Sequence, residues 1–410
     1  MSKQDIIELQ IDTMANGGRA LGRYQGKVIF VSGAIPGETV RARVTQVRKR
    51  WSQAHVVRVL DASPHRIEPP CPYYGRCGGC HLQHIAYNAQ PDYKRQVVVE
   101  QLRRIGHIER PPVEPVIAMN EPWFYRNHAQ FSISESGHLG FQAARSHDVI
   151  AVDRCLLLHP LLDELHKALD IDWPELERLS LRAGIRTGQR MCILKTKTGQ
   201  APELTVDFPL SCVLQDHDGQ DRVLIGKGTY DEVLREKTFR VSAASFFQVN
   251  TEQTEAMLDV IEQYLDPQPE DALLDVYCGI GTLSLPFADR VARIIGIEEN
   301  QTAIQDALVN AGDSDHVTLI PGKAERILPQ LDEKISKAIL DPPRQGCKPQ
   351  VLTEIMRFAP SRIVYVSCDP TTLARDAAQF TAQGYTLTQA QPVDMFPQTY
   401  HIEIVTLWQK

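Results

Sequence analysis

Three groups of residues in this 410-residue chain have the types and spacing that chemistry requires. In VYVSCDPTTLARD, Cys368 lies between Ser367 and Asp369 at the end of an apolar run. A thiol at a strand end, just before a helix that starts near Thr371, stands where helix amides favour a thiolate, and it reads as a nucleophile. The plainer reading is a buried structural cysteine, but that position is polar company for one. A nucleophile needs a base on the same face, and MFPQTYHIEIVTL offers His401 and Glu403 at the start of a strand. Glu403 is the expected base; an acid on an exposed strand edge is the alternative.

The second group surrounds a ligand rather than reacting. DVYCGIGT ends an apolar run with Gly279 and Gly281, which let the backbone pass close to a ligand, and Glu298 ends the next run, where an acid can accept hydrogen bonds from a ribose diol. An adenosine-bearing cofactor fits this pair better than an ordinary tight turn does. NAD fits less well, because Ser284 replaces the third glycine of the dinucleotide fingerprint. In ILDPPRQGC, Asp341 precedes Pro342 and Pro343, a rigid turn that can hold a planar ring. The third group is CPYYGRCGGC, with Cys71, Cys77 and Cys80 in ten residues. Thiolate metal sites usually want four ligands, so a fourth is to be sought elsewhere.

These groups need elements to position them. From Ile7 to about Leu60, alternating runs such as KVIFV and ETVRARVTQV are broken by Gly and Pro turns, the pattern of a small antiparallel barrel. The first sixty residues hold ten Lys and Arg against four Asp and Glu, although the whole chain carries −7. RARVTQVRKRW puts Arg41, Arg43, Arg48, Lys49 and Arg50 beside Trp51, which suits a phosphate backbone and a stacked base, or else a solvated strand edge. SPHRIEPPCP ends that module. From Tyr93 to Phe239 the pattern is mixed: a helix near DYKRQVVVEQLRRIG, strands near HAQFSIS and RMCILKTK, and a polar turn at QDHDGQD. Past Ser242 comes an amphipathic helix, TEQTEAMLDVIEQYL, and then apolar runs alternating with helical spacers, which imply a mainly parallel sheet covered on both faces. The expected fold is therefore an α/β domain of Rossmann-like class I type at 241–410, an N-terminal antiparallel β-barrel at 1–62, and a mixed α+β region at 63–240. No run reaches the roughly 18 apolar residues of a membrane span. A cytoplasmic monomer with reduced thiols and no membrane association is expected.

In combination and order, FFQVN, DVYCGIGT, DPPRQG, SCDPTTLARD and HIE resemble the RNA uracil-C5 methyltransferases that use S-adenosylmethionine. The resemblance spans nearly the whole chain and implies a TRAM-type barrel at the N-terminus. It implies Cys368 as the nucleophile that adds to uracil C6, Glu403 as the base that removes the C5 proton, and Gln248, Tyr277, Thr282, Glu298 and Asp341 as cofactor contacts. Lys323 departs from the pattern, standing where an Asp or Asn meets the adenine, and Cys347 follows DPPRQG where a small residue is usual. The resemblance further implies a 4Fe-4S cluster on Cys71, Cys77 and Cys80, completed by Cys155; zinc, with His81 or His84 as fourth ligand, is the rival. The implied partner is structured RNA, 23S ribosomal RNA first and tRNA second. A non-catalytic RNA-binding protein would have no use for Cys368. An amino-methyltransferase would place an aromatic after D-P-P, where this chain has Arg344.

Overall fold

The computed structural model describes residues 1–134, 137–144, 146–169, 175–215 and 221–410. Most of the polar turn expected at QDHDGQD lies outside them.

Alternation of side chains along five strands closes the N-terminal barrel: β1 (Ile6–Ala15), β2 (Arg19–Tyr24), β3 (Lys27–Ser32), β4 (Thr39–Val47) and β5 (Trp51–Asp61), in the order β1-β2-β3-β5-β4. Ile7, Leu9 and Ile11 of β1 meet Val40, Ala42 and Val44 of β4 inside, as a period of two dictates. Glu38, wholly buried, ties the barrel to the chain that follows. Its carboxylate accepts from Arg66 Nε at 2.5 Å and Nη2 at 2.7 Å, and from the N–H groups of Ile35 and Ser63 at 2.9 and 3.3 Å.

Helix α1 (Gln90–Arg104) comes next, followed by the central sheet. Its strands are β6 (His128–Ile133), β7 (Leu139–Gln142), β8 (Val149–Ala151), β9 (Leu176–Ala183), β10 (Arg190–Thr196), β11 (Ser211–Gln215) and β12 (Asp221–Ile225), in the order β12-β11-β10-β9-β6-β7-β8. Helix α2 (Pro160–Ala168) packs on β9 and β10. A hairpin, β13 (Thr229–Leu234) and β14 (Lys237–Ser242), leads into the last third of the chain.

There, helices and strands alternate. They run α3 (Thr251–Leu265), β15 (Ala272–Val276), β16 (Arg293–Glu298), α4 (Gln301–Ala311), β17 (Val317–Pro321), α5 (Ala324–Ile327), β18 (Lys337–Leu340), α6 (Pro349–Arg357), β19 (Arg362–Ser367), α7 (Pro370–Ala382), β20 (Thr386–Val393) and β21 (Glu403–Gln409). The sheet order is β17-β16-β15-β18-β19-β21-β20. β15 to β19 pair in parallel and are nearly all apolar, because both faces are covered. One face buries Met257, Leu258, Ile261 and Leu265 of α3, the face expected from the sequence. The other buries Val351 and Leu352 of α6, Leu373 and Phe380 of α7, and Val98 and Leu102 of α1. So α1, although it precedes the central sheet, packs against α7 on the C-terminal domain. Asn250, Asn300 and Asp369 cap α3, α4 and α7 by accepting from first-turn N–H groups. Among the described residues no helix is long and apolar enough to cross a membrane.

Burial works against the Glu38 charge, but Arg66 and the two backbone N–H groups hold its carboxyl below the usual carboxylate range. Its contribution is therefore present above the unfolded-state pKa and lost as pH falls through the lower folded value. Glu38→Gln is expected to cost roughly 2–3 kcal/mol, less than a fully buried pair because Arg66 is partly exposed. Urea midpoints should show that gap at neutral pH and lose it in acid.

Candidate active site

The parallel strands all point their carboxyl ends at one edge, where the residues singled out in the sequence collect. Tyr277, Gly279, Gly281 and Thr282 follow β15, Glu298 ends β16, Lys323 follows β17, Asp341 follows β18 and Cys368 follows β19. The chain order reverses between β15 and β18, and the crevice beyond that reversal is where open α/β sheets take ligands.

The turn after β15 is fixed tightly. Tyr277 sits at φ +70°, a left-handed conformation unusual for a tyrosine, with its N–H donating to Ile297 O at 2.9 Å. Gly281 sits at φ +87°, and a Cβ there would lie 2.3 Å from Leu285 Cδ1. Glu298 accepts from the N–H of Gly279 at 3.0 Å and of Asn300 at 2.7 Å, which aims its carboxylate along the rim of the crevice. Lys323 is exposed and lies 3.7 Å from Glu299. Cys347 is buried, and its N–H donates to Asp376 at 2.9 Å. Gln248 is buried just before α3, with its carbonyl accepting from Asn127 Nδ2 at 2.9 Å. Two residues on, Asn250 Nδ2 donates to Met395 O at 3.2 Å, so FFQVN lies against the segment that leads to Glu403.

β21 runs antiparallel to β19 as far as the pair Ser367 and Ile404, and Cys368 and Glu403 are the next residues along the two chains at that end. Glu403 is 5% exposed. Burial, then Asp341, pushes its carboxyl well above the usual range, with Arg344 opposing. Burial pushes the Cys368 thiol up to about 12; Glu403 and Asp341 add to this and Arg344 opposes it. This corrects the expectation that the helix amides would favour a thiolate. The N–H groups of Thr371 and Thr372 donate to the Asp369 carboxylate instead, at 2.7 and 3.2 Å. Asp341 itself is raised to about 7 by burial and by Asp275. His401 is pushed down to about 3 by burial and by the positive charge of Arg344. That leaves the His401 ring a weak base at neutral pH.

Two residues at this edge carried no role in the sequence reading. Arg344 follows the double proline and is the cation that opposes the charge of Cys368 and Glu403 alike. The signal was a basic residue in a turn that already ends a strand in an acid. Phe246 is 65% exposed beside buried Phe247 and Gln248.

Comparison with known proteins fixes the class. An uncharacterized RNA methyltransferase of Clostridium tetani is 36% identical, covering 99% of this chain and 97% of its own. One of Thermosynechococcus vestitus is 35% identical over 98% and 97%. Residues 218–410 match the family described as tRNA (Uracil-5-)-methyltransferase, and residues 4–57 match the TRAM domain. The chain belongs to the RNA (uracil-5-)methyltransferase family. The structure of Pyrococcus abyssi tRNA (uracil-54, C5)-methyltransferase with S-adenosyl-L-homocysteine shares the fold, with a TM-score of 0.78, 24% identity and coverage of 98% of this chain and 99% of that one.

In this methyltransferase the barrel's basic stripe runs along β4 and the turn into β5. Arg48, Lys49 and Arg50 are exposed, Arg41 lies 3.3 Å from Glu8, and Trp51 packs edge-on against Phe30 at 5.9 Å. The remaining cysteines gather elsewhere. Cys71, Cys77, Cys80 and Cys155 are all free thiols and line one cavity of about 250 Å³ with Arg126. Burial raises the thiols of Cys77 and Cys155, and that of Cys80 to about 12. Among the described residues no three His, Cys, Asp or Glu side chains gather to hold a single metal ion. His81 and His84 do not line the cavity. The His84 ring lies 2.5 Å from the Tyr74 hydroxyl, and the His81 ring packs on Tyr400 at 4.5 Å. The mixed Cys/His zinc set considered from the sequence is therefore not assembled.

With the Cys368 thiol pushed up, its alkylation by iodoacetamide should be slow at neutral pH and accelerate into the alkaline range. Arg344→Met removes the opposing cation and should shift that acceleration to still higher pH. Site-resolved mass spectrometry reads both.

Proposed function

We propose that this methyltransferase transfers a methyl group from S-adenosylmethionine to C5 of a uridine in structured RNA, through a covalent bond between Cys368 and C6. The observation that supports the proposal is that the β19–β21 pairing ends at Ser367 and Ile404, next to Cys368 and the enclosed Glu403 at the ligand edge of the sheet. Uracil C5 is a poor nucleophile until C6 is saturated. The Cys368 thiol gives its proton to solvent and Sγ adds to C6, so that the ring becomes an enolate whose negative charge the Arg344 cation, beside Cys368, would offset. The co-substrate supplies an electrophilic methyl group to C5. Glu403 then takes the C5 proton, the C5–C6 double bond re-forms and the sulfur departs. A carboxyl whose proton affinity is raised by burial suits that last transfer.

Gln248, Tyr277, Gly279, Gly281, Thr282, Glu298 and Asp341 are assigned to the co-substrate. Glu298 would exchange its backbone partners for the ribose diol. Flipping the target uridine out of its stack brings it to this edge, with Phe246 open to stack against a neighbouring base. In this reading residues 1–62 grip RNA, 63–240 carry the thiol site and 241–410 perform the chemistry.

The four cavity thiols are proposed as ligands of a 4Fe-4S cluster. A single zinc would draw each sulfur to about 2.3 Å from the metal. Four thiols lining one cavity suit a larger guest. A cluster there would pin the loop of Cys71, Cys77 and Cys80 to Cys155. Anaerobic purification is expected to give a protein with visible absorption and iron and sulfide in equal amounts; stoichiometric zinc without iron would sink the assignment.

The preferred substrate is 23S ribosomal RNA. A tRNA uridine is the second reading, favoured by the description of the matching family and by the archaeal enzyme of the same fold. Mapping 5-methyluridine in both RNAs from a strain lacking the gene separates them. Cys368→Ala should abolish turnover, whereas Glu403→Gln should accumulate a protein–RNA adduct on a denaturing gel. Methylation by the alanine variant would remove the covalent mechanism.

A further inference from the structure

The segment that delivers Glu403 leaves β20 after Val393 and enters β21 at Glu403, and residues 394–402 between them form no helix or strand. Much of what holds this segment comes from outside the C-terminal sheet. The Lys94 ammonium, on α1, donates to Asp394 Oδ1 at 2.5 Å, to Phe396 O at 3.1 Å and to His401 O at 2.9 Å. Its side chain is 3% exposed and that of Asp394 is fully enclosed. The Tyr87 hydroxyl donates to the other Asp394 oxygen at 2.9 Å. Gln90 and Gln398 exchange two further hydrogen bonds, of 2.9 and 3.2 Å.

All three ammonium protons are thus spent on one short segment, and they bracket it. One goes to the residue after β20 and one to the carbonyl two residues before Glu403. A buried ammonium without these partners would be strongly unfavourable, so the segment's span is fixed by the tetrahedral spread of the three donors. The planar fork of an arginine does not reproduce that spread. We propose that Lys94, with Asp394 as its counter-ion, is a positioning residue that holds the Glu403 carboxyl at the C5 proton. The proposal rests on Glu403 being the base.

The test uses full-length Lys94→Met, Lys94→Arg, Asp394→Asn and Glu403→Gln proteins with S-adenosylmethionine and total RNA from a strain lacking the gene. Lys94→Met should bind S-adenosylmethionine within about twofold of wild type, lose turnover roughly 100-fold and accumulate the adduct as Glu403→Gln does. Asp394→Asn should shift the same way but less, and Lys94→Arg should recover only part of the loss. Wild-type turnover in Lys94→Met, or lost turnover without adduct, overturns the proposal. If Lys94→Met does not fold, Asp394→Asn decides by the same criteria. If neither variant binds S-adenosylmethionine, the pair holds the whole fold and the proposal fails. Glu403→Gln separates the two readings: adduct there and none in Lys94→Met sinks this proposal alone, whereas no adduct in Glu403→Gln sinks the base assignment and this proposal together.

Discussion

The candidate site depends on β21 running backwards between β19 and β20. Five parallel strands can bring five loops to one edge, but each contributes a residue at the end of its own strand and none faces another squarely. An antiparallel neighbour reverses that geometry, because its first residue meets the last residue of the strand beside it. Glu403 opens β21 where β19 has just ended, beyond the backbone ladder that pairs Arg362–Ser367 with Gln409–Ile404. A slip of one residue would turn Glu403 to the other face of the sheet. The register is protected by burial on both faces, with Trp408 enclosed and stacked on Phe380 at 4.8 Å.

The same enclosure creates an electrostatic problem. Asp275, Asp341, Glu403 and the Cys368 thiol are held near one another with Arg344 as the nearby counter-charge. Burial first, and the neighbouring negative charges after it, raise the proton affinity of each group. In the proposed reaction negative charge would develop as the thiol adds to the ring, with the Arg344 cation already near Cys368. Preorganised charge of this kind costs no reorganisation at the moment of reaction.

What could be read in advance follows the range over which each feature is encoded. Barrel strands and sheet strands are written in local periodicity, and the candidate site residues stood out as polar groups ending apolar runs. The helix-amide argument for Cys368 failed on a local detail that was also visible: Asp369 followed by Pro370 is a helix cap with a proline in the first turn, and the cap takes the amides. Lys94 was illegible for a different reason. A lysine in a helix reads as solvated, and its partner Asp394 lies three hundred residues away. The faint clue was its spacing from Val97 and Val98, which places it on the buried face of α1. Pairing of β10 with β11 in parallel, inside an otherwise mostly antiparallel sheet, left no local mark at all.

The barrel is seated directly on the segments that follow Cys368 and precede Glu403. Asn16, on the loop between β1 and β2, donates to Thr371 Oγ1 at 2.8 Å, and Gly18 lies so close to Tyr400 that a Cβ there would come within 2.9 Å of its side chain. A module on a flexible tether raises local concentration and tolerates many spacings between its grip and the reacting base. A module wedged against the wall of the pocket behaves as a ruler. RNA held on the barrel would present its target at one fixed offset, so selection among uridines becomes a matter of three-dimensional distance along a folded RNA rather than of the sequence around the base.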